Sequence, residues 1–234
     1  MTKKLDFQTY LYLSHNQFII YVVDILTNEK IYSEKLLTEE NSTELKFGKL
    51  DKFLDIHIFK IEKKLNSFIK EIYVIFDSDE FLSIKLSIKK NNNGNLINSN
   101  ALIHPLSDLK NLCQSNLQNK KIIHFHIEKY VIDNKFYTTL PENINCNIFS
   151  LDTELVCLSK NFIENIEGIL KKYHISVNKI LSARYVERFE DNTDNTIFTT
   201  ASRIISGHNS NEVLLTGKVN KKQGFFERFF NFFN

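Results

Sequence analysis

The sequence predicts a mixed α/β (α+β) fold in which helices cover a sheet with an antiparallel bias. Two runs rich in aromatic and β-branched residues open the chain, and a helical repeat follows them. From residue 50 onward the patterns indicate helix, strand, strand, helix, strand, strand, helix and strand. Such an order favours a mixed sheet covered by helices. The 234 residues suffice for one or two domains with a buried core.

The N-terminal elements are predicted to be adjacent strands. Residues 7–13 and 18–25 have the aromatic and β-branched composition of strands, and residues 14–17 have the polar composition of the turn between them. A third strand is predicted over 30–37. These strands form the β-rich start of the chain.

The next elements combine one helix with two strands. Apolar residues repeat at intervals of three and four over 50–70, which predicts a helix with one buried face. That face comprises Leu50, Phe53, Leu54, Ile58, Ile61, Leu65, Phe68 and Ile69. A continuous apolar run over 72–76 predicts a buried strand, and alternation over 81–89 predicts a half-exposed strand. The tract 91–100 is predicted to be a polar loop.

The second half of the chain repeats this alternation of helices and strands. Ser107 is the predicted N-cap of a helix that ends near residue 119. The remaining predicted elements are a strand over 122–132, a loop over 138–147, a strand over 148–158, a helix over 160–173 capped by Ser159, a strand over 176–181 and a short helix over 199–206.

Composition and charge exclude several function classes. A formal net charge of +2 and the lack of a basic aromatic face argue against nucleic acid as a partner. Three cysteines without a CxxC pair are typical of a reduced cytoplasmic protein. No apolar signal core begins the chain, and no segment approaches the roughly 20 apolar residues of a membrane span. Any membrane contact is therefore expected to be peripheral.

Candidate chemistry is sparse. His124, His126 and Glu128 alternate along one predicted strand, and such side chains bind metals. No Cys or Asp motif nearby completes a site, so we interpret them as the outward polar face of a strand. The acidic run 77–80 is expected to be a solvated turn rather than a cation site. No Ser-His-Asp or Cys-His spacing is recognisable. The sequence therefore predicts no catalytic, cofactor-binding or metal-binding residue, and no enzyme.

Residues 221–234 are predicted to form an amphipathic helix on a membrane surface. At about 100° per residue, the six phenylalanines of this segment share an arc of roughly 160°. A fully buried Phe contributes about 2 kcal/mol, and a basic residue beside anionic lipid adds up to about 1 kcal/mol. The predicted membrane-binding residues are Lys221, Lys222, Phe225, Phe226, Arg228, Phe229, Phe230, Phe232 and Phe233. The alternatives are packing of these rings on a partner groove or on the protein's own core.

Three stretches occur in the same order as in a known family. The first begins with Phe47-Gly48-Lys49-Leu50-Asp51 and continues to the strand 72–76. The second is residues 122–133, which end in a Tyr-x-x-Asp pattern and precede Pro141. The third is the segment that opens with Lys221-Lys222-Gln223-Gly224-Phe225-Phe226. With these stretches the chain resembles FtsA, the bacterial actin-like cell-division protein.

The resemblance implies a domain order and a role. Residues 1–49 resemble the start of the actin-like lobe, and residues 50–185 resemble the family's SHS2 (strand-helix-strand-strand) subdomain. A polar linker with a short helix over 186–220 and the amphipathic helix over 221–234 follow. The implied role is a non-catalytic peripheral anchor on the cytoplasmic face of the bacterial inner membrane, at the division site. Its SHS2-like region would contact divisome proteins or copies of itself.

The chain departs from the family at its ATP-binding motifs. FtsA-type actins bind phosphate with Gly-rich turns, but here Tyr12 stands in place of the Asp and Ser14 in place of the Gly. No second Asp-x-Gly-Gly turn and no Gly-Gly adenosine motif is present. The chain is also expected to lack the second lobe, which carries the family's FtsZ-binding surface. The sequence therefore gives no support for ATP or another cofactor, and it leaves FtsZ open as a partner.

Two other functions stay open at this point. One is a nucleotide-binding actin-like ATPase with a degenerate site near Ser14 to Asn16. The other is a pilus-type actin-like adaptor, which uses a similar subdomain to grip a peptide.

Overall fold

The computed structural model describes residues 6–38, 45–141, 144–191 and 196–213. The strands within them are β1 (Phe7–Leu13), β2 (Gln17–Asp24), β3 (Lys30–Leu37), β4 (Glu71–Phe76), β5 (Leu82–Asn91), β6 (Leu96–Ile97), β7 (Lys120–Ile132), β8 (Lys135–Tyr137), β9 (Ile144–Asn145), β10 (Ile148–Ser159) and β11 (Ser176–Ser182). The helices are α1 (Phe47–Leu65), α2 (Ser99–Asn116), α3 (Lys160–Lys171), α4 (Ala183–Glu187) and α5 (Ile197–Ile205). The predicted mixed α/β class is confirmed.

The chain divides into two compact units. Unit 1 comprises residues 1–80 and 161–202, and unit 2 comprises residues 81–160 and 203–234. Unit 2 is therefore inserted mainly between β4 and α3. The segment 50–185, which resembles one subdomain, contributes to both units, because its two ends belong with the N-terminal strands.

Unit 1 is built on a five-stranded sheet in the order β11-β4-β1-β2-β3. The first three strands form an antiparallel meander, in which Leu13 pairs with Phe18 across the first turn. β4 pairs with β1 in parallel, and β11 pairs with β4 in parallel. Parallel neighbours need a crossover connection, and α1 and α3 lie in those connections. The carboxyl ends of β1, β4 and β11 consequently share one edge of the sheet.

Helix α1 buries the predicted face but ends earlier than predicted. Asn66 adopts a left-handed conformation with φ 49°, and its N–H donates to the Glu62 carbonyl. Asn tolerates this conformation better than most residues, so it serves as the helix C-cap and the helix ends at Leu65. Phe68 lies beyond this cap and is 76% exposed. Its predicted place on the buried face is therefore wrong.

Unit 2 is built on an antiparallel sheet in the order β5-β10-β7-β8. Buried residues of α2, β7 and β10 form its hydrophobic core. The alternation predicted for β5 is confirmed, because Ile84, Leu86 and Ile88 pack against this core while Lys85 and Lys89 are exposed. The sheet therefore has one apolar face and one more polar face.

Helix α2 begins before its predicted N-cap, Ser107. The cap is Asn98, whose side-chain oxygen accepts a hydrogen bond from the Ala101 N–H at 3.2 Å. Pro105 lies inside the helix and is buried. A proline there lacks an N–H donor, and burial of its ring offsets part of that loss. The predicted loop over 91–100 is correspondingly shorter, since it also contains β6.

Candidate functional site

The carboxyl ends of the parallel strands in unit 1 form the first candidate site. In open α/β sheets, ligands bind outside the carboxyl ends of the strands. Five polar side chains lie at or just beyond these ends, and we call them the strand-end cluster: Tyr12, Ser14, Asp77, Asp79 and Arg184. Two of its members, Tyr12 and Ser14, occupy the positions at which the chain departs from the ATP-binding pattern.

Polar groups of the turn between β1 and β2 form hydrogen bonds with one another. The Ser14 N–H donates to the Gln17 carbonyl at 2.9 Å, and the Gln17 N–H donates to Ser14 Oγ at 3.1 Å. Ser14 Oγ also donates to Asn16 Oδ1 at 2.6 Å. Thr38 fixes the turn from the end of β3, because its N–H donates to the Asn16 carbonyl at 2.8 Å and its hydroxyl to the His15 carbonyl at 2.5 Å.

This geometry limits the chemistry of the turn. A phosphate cradle needs backbone N–H groups that point at the anion, and those of Ser14 and Gln17 are engaged within the turn. The Ser14 hydroxyl donates to an amide oxygen. A serine nucleophile would instead need a neighbouring base. The N–H groups of Ser14 and Gln17 are therefore not available to an anion, and the Ser14 hydroxyl is directed at an amide oxygen rather than at a base.

The acidic run 77–80 connects β4 to β5, as predicted. The Tyr12 hydroxyl donates to Asp77 Oδ2 at 3.2 Å. Burial, together with the Asp77 carboxylate, raises the pKa of Tyr12, so the phenol stays protonated and remains a donor. Asp79 forms an ion pair with Arg184. Among the described residues, no group of three or more His, Cys, Asp and Glu side chains is arranged to hold a metal ion.

His124 is not on an outward polar face, contrary to the prediction. Two register shifts between β7 and β10 leave Ile123 and Glu128 without partners in the pairing, so the simple alternation of faces is broken. His124 is 1% exposed, and its Nδ1 lies 3.0 Å from Glu212 Oε1. Glu212, from beyond the strand, accounts for the burial of this histidine.

His126 and Glu128, which the sequence also placed on the outward face of this strand, have different partners. His126 Nδ1 lies 3.2 Å from Asn209 Nδ2. Glu128 accepts a hydrogen bond from Lys85 Nζ at 2.7 Å and is partly exposed. The three side chains therefore belong to three separate interactions and are not gathered around one point.

The last described residues, 211–213, extend the edge of the unit 2 sheet. The Ile127 N–H donates to the Asn211 carbonyl at 3.0 Å, and the Val213 N–H donates to the Phe125 carbonyl at 2.7 Å. Val213 is 2% exposed and belongs to the core of unit 2. Residues 211–213 are therefore held against β7, and we call them the tail root.

The predicted membrane-binding residues follow the tail root and lie outside the described residues. They are Lys221, Lys222, Phe225, Phe226, Arg228, Phe229, Phe230, Phe232 and Phe233. None of the helices in the described part of the chain is long and apolar enough to cross a bilayer.

Sequence reasoning missed two features of the molecule. The first is Glu212 as the partner of His124, and no local signal marks this pair because 88 positions separate its members. The second is the outer face of α1, where exposed lysines lie beside exposed apolar residues. This face had a readable signal, since Lys52, Lys60 and Lys63 fall at helical spacing opposite the buried residues.

No protein-family model and no curated protein sequence matches this chain. Among solved structures it is similar to the cytoplasmic domain of EpsL, an inner membrane component of the type II secretion system of Vibrio cholerae, at 12% identity and a TM-score of 0.39, over 80% of this chain and 61% of that one. It is also similar to the PilM-PilN type IV pilus biogenesis complex, at 8% identity and a TM-score of 0.48, over 76% of this chain and 48% of that one.

A third similar structure is a Bacteroides thetaiotaomicron protein with an actin-like ATPase fold and unknown function. Identity is 13% and the TM-score 0.37, over 80% of this chain and 57% of that one. The chain thus spans between 48% and 61% of the length of these three structures. At such identities and TM-scores, the likenesses establish no shared activity or partner.

Proposed function

We propose that this chain is a non-catalytic, FtsA-like adaptor that residues 221–234 hold on the cytoplasmic face of a bacterial inner membrane. The tail root supports this proposal, because it holds Val213 in the core of unit 2 only eight positions before Lys221. The seven intervening residues, 214–220, span at most about 25 Å when fully extended. Unit 2 would therefore stay close to the bilayer.

The proposed adaptor is anchored to the membrane and binds partner molecules there repeatedly. Confinement to a surface raises the effective concentration of each binding partner without any new contact. By its resemblance to FtsA, the partners would be divisome proteins or further copies of this chain. A pilus-type adaptor would use the same mechanism with a different partner, so the two differ in cellular location rather than in anchoring.

Vesicle sedimentation tests the anchor. The intact chain should pellet with vesicles that contain anionic lipid, and a version ending at Gly224 should stay in the supernatant. Phe226→Glu together with Phe229→Glu should behave like the truncation, because each places a charge among the apolar rings. Asn231→Glu with Asn234→Glu adds the same charge to the polar arc and serves as the matched control. Equal pelleting of the intact and truncated chains would refute the anchor.

A measurement of ATP binding tests whether the chain is non-catalytic. The turn around Ser14 uses the N–H groups of Ser14 and Gln17 internally, which leaves fewer backbone donors for a phosphate. Titration calorimetry with ATP and Mg²⁺ should therefore give no binding heat at micromolar concentrations. Clear micromolar binding would favour the degenerate ATPase instead.

A further inference from the structure

Helix α1 carries a mixed basic and apolar surface on its solvent side. Five exposed residues form what we call the α1 outer face: Lys52, Ile56, Phe59, Lys60 and Lys63. At about 100° and 1.5 Å per residue, they share an arc of roughly 100° and extend over about 16 Å. Ile56 is 54% exposed and Phe59 is 70% exposed. The opposite side of the helix supplies the buried residues that pack in unit 1.

The carboxylates of α1 are engaged away from these lysines. Asp51 pairs with Lys172 at 2.7 Å, and Asp55 accepts a hydrogen bond from the Tyr173 hydroxyl at 2.9 Å. Glu62 accepts one from the Ile69 N–H at 3.0 Å. Of the carboxylates that the structure describes, none forms an ion pair with Lys52, Lys60 or Lys63. As far as the described residues show, the α1 outer face therefore carries three lysines outside ion pairs, beside its apolar side chains.

The combination of exposed apolar side chains and lysines on one helix face matches one kind of binding surface. Single exposed apolar residues are ordinary on protein surfaces, but here two of them lie among three lysines on one helix face. At a bilayer surface, apolar side chains enter the interface while lysines extend their ammonium groups toward the headgroups. Anionic headgroups attract each such lysine. An apolar protein groove would satisfy Ile56 and Phe59 but would gain nothing from the charge.

We propose that the α1 outer face is a second lipid-contact surface, which binds anionic bilayers alongside the tail. This inference rests on the proposed anchoring function and deepens it. The tail and the α1 outer face would each add to the affinity for anionic membranes. The tail would supply most of the apolar insertion, and the α1 outer face would add to the preference for anionic lipid that Lys221, Lys222 and Arg228 give the tail.

A single tryptophan provides a direct readout of insertion, because the chain contains none. Phe59→Trp in the full chain should show blue-shifted emission with phosphatidylglycerol-containing vesicles and quenching by brominated lipid. Phe136→Trp is the matched control, since Phe136 in unit 2 is 69% exposed and Phe59 is 70% exposed. Quenching at position 59 but not at position 136 supports the inference. No quenching at position 59 overturns it.

Charge removal measures the contribution of the lysines. Each lysine beside anionic lipid strengthens binding by up to about fivefold, so Lys52→Gln, Lys60→Gln and Lys63→Gln together should weaken binding to anionic vesicles about 10- to 100-fold. Binding to pure phosphatidylcholine vesicles should not change. The control is Lys89→Gln, Lys121→Gln and Lys135→Gln, which removes the same charge from exposed positions of unit 2.

The outcomes separate this inference from the proposed function. Wild-type affinity of the α1 lysine variant for anionic vesicles would overturn the inference. The anchor would stand in that case if the tail variant Phe226→Glu with Phe229→Glu still lost binding. Wild-type binding by the tail variant would instead refute the anchor, whatever the lysine variant does.

Discussion

At the scale of single residues, burial controls the chemistry of the three cysteines. Cys113, Cys146 and Cys157 are free and buried, and burial raises the pKa of each thiol. For Cys157 the pKa rises to about 11. Since the thiolate is the reactive form, these side chains are inert in the folded protein. They pack as small apolar groups.

The Cys157 thiol predicts an alkaline loss of stability. Its pKa is about 11 in the folded chain, above the ordinary value of 9.0, so the folded state holds the proton more tightly than the unfolded state. The stabilisation is complete below about pH 9 and is lost as the pH rises to about 11, by roughly 2 kcal/mol in all. Urea unfolding at pH 8, 9 and 10 measures this slope, and Cys157→Val should show a shallower one. Identical slopes would contradict the prediction.

The pair of His124 and Glu212 is the buried polar contact that ties the tail root to β7. Glu212→Ala leaves the imidazole buried without its carboxylate, so we expect the free energy of unfolding to fall by about 1–3 kcal/mol. Glu128→Ala is the control, because it removes the same side chain from a partly exposed ion pair with Lys85, and such pairs contribute about 0–1 kcal/mol. Urea denaturation compares the two variants. A smaller loss for Glu212→Ala than for Glu128→Ala would argue against the buried pair.

At the scale of elements, local patterns predicted the strands better than the helix ends. β1 and β3 have the predicted bounds, because composition and alternation are properties of the segment itself. The end of α1 depended on one left-handed Asn66, and the start of α2 depended on the Asn98 cap. The burial of His124 depended on register shifts and on a residue far along the chain. Periodicity carries none of this information.

Asn66 gives an element-level prediction. Its φ of 49° is unfavourable for a β-branched side chain, so Asn66→Val should lower the free energy of unfolding by about 1–2 kcal/mol. Asn66→Gly should leave it unchanged or slightly higher, because glycine adopts this conformation without a Cβ clash. Thermal unfolding followed by circular dichroism measures both variants. Equal stability of the two would mean that the C-cap does not set the end of α1.

At the scale of the whole molecule, each unit contributes one element to the proposed membrane contact. Unit 2 contains the tail root, and unit 1 contains the α1 outer face. The tail is expected to contribute more binding free energy than the α1 outer face. Six phenylalanines at about 2 kcal/mol each when fully buried exceed three lysines at about 1 kcal/mol each. Partial insertion of the rings reduces the first sum without reversing the order, so the tail should decide whether the protein is bound at all.

Because the tail is expected to decide membrane binding, it should also decide where the protein lies in the cell. That location distinguishes a role in division from a pilus-type role. A fluorescent fusion at the N-terminus should lie at the cell envelope, and Phe226→Glu with Phe229→Glu should release it to the cell interior. The α1 lysine variant should stay at the envelope, because the tail still anchors it. Enrichment at the septum would support the FtsA-like role, whereas a polar or dispersed envelope signal would favour the pilus-type adaptor. Persistence of the tail variant at the envelope, with expression confirmed by immunoblot, would mean that contacts other than the tail localise the protein.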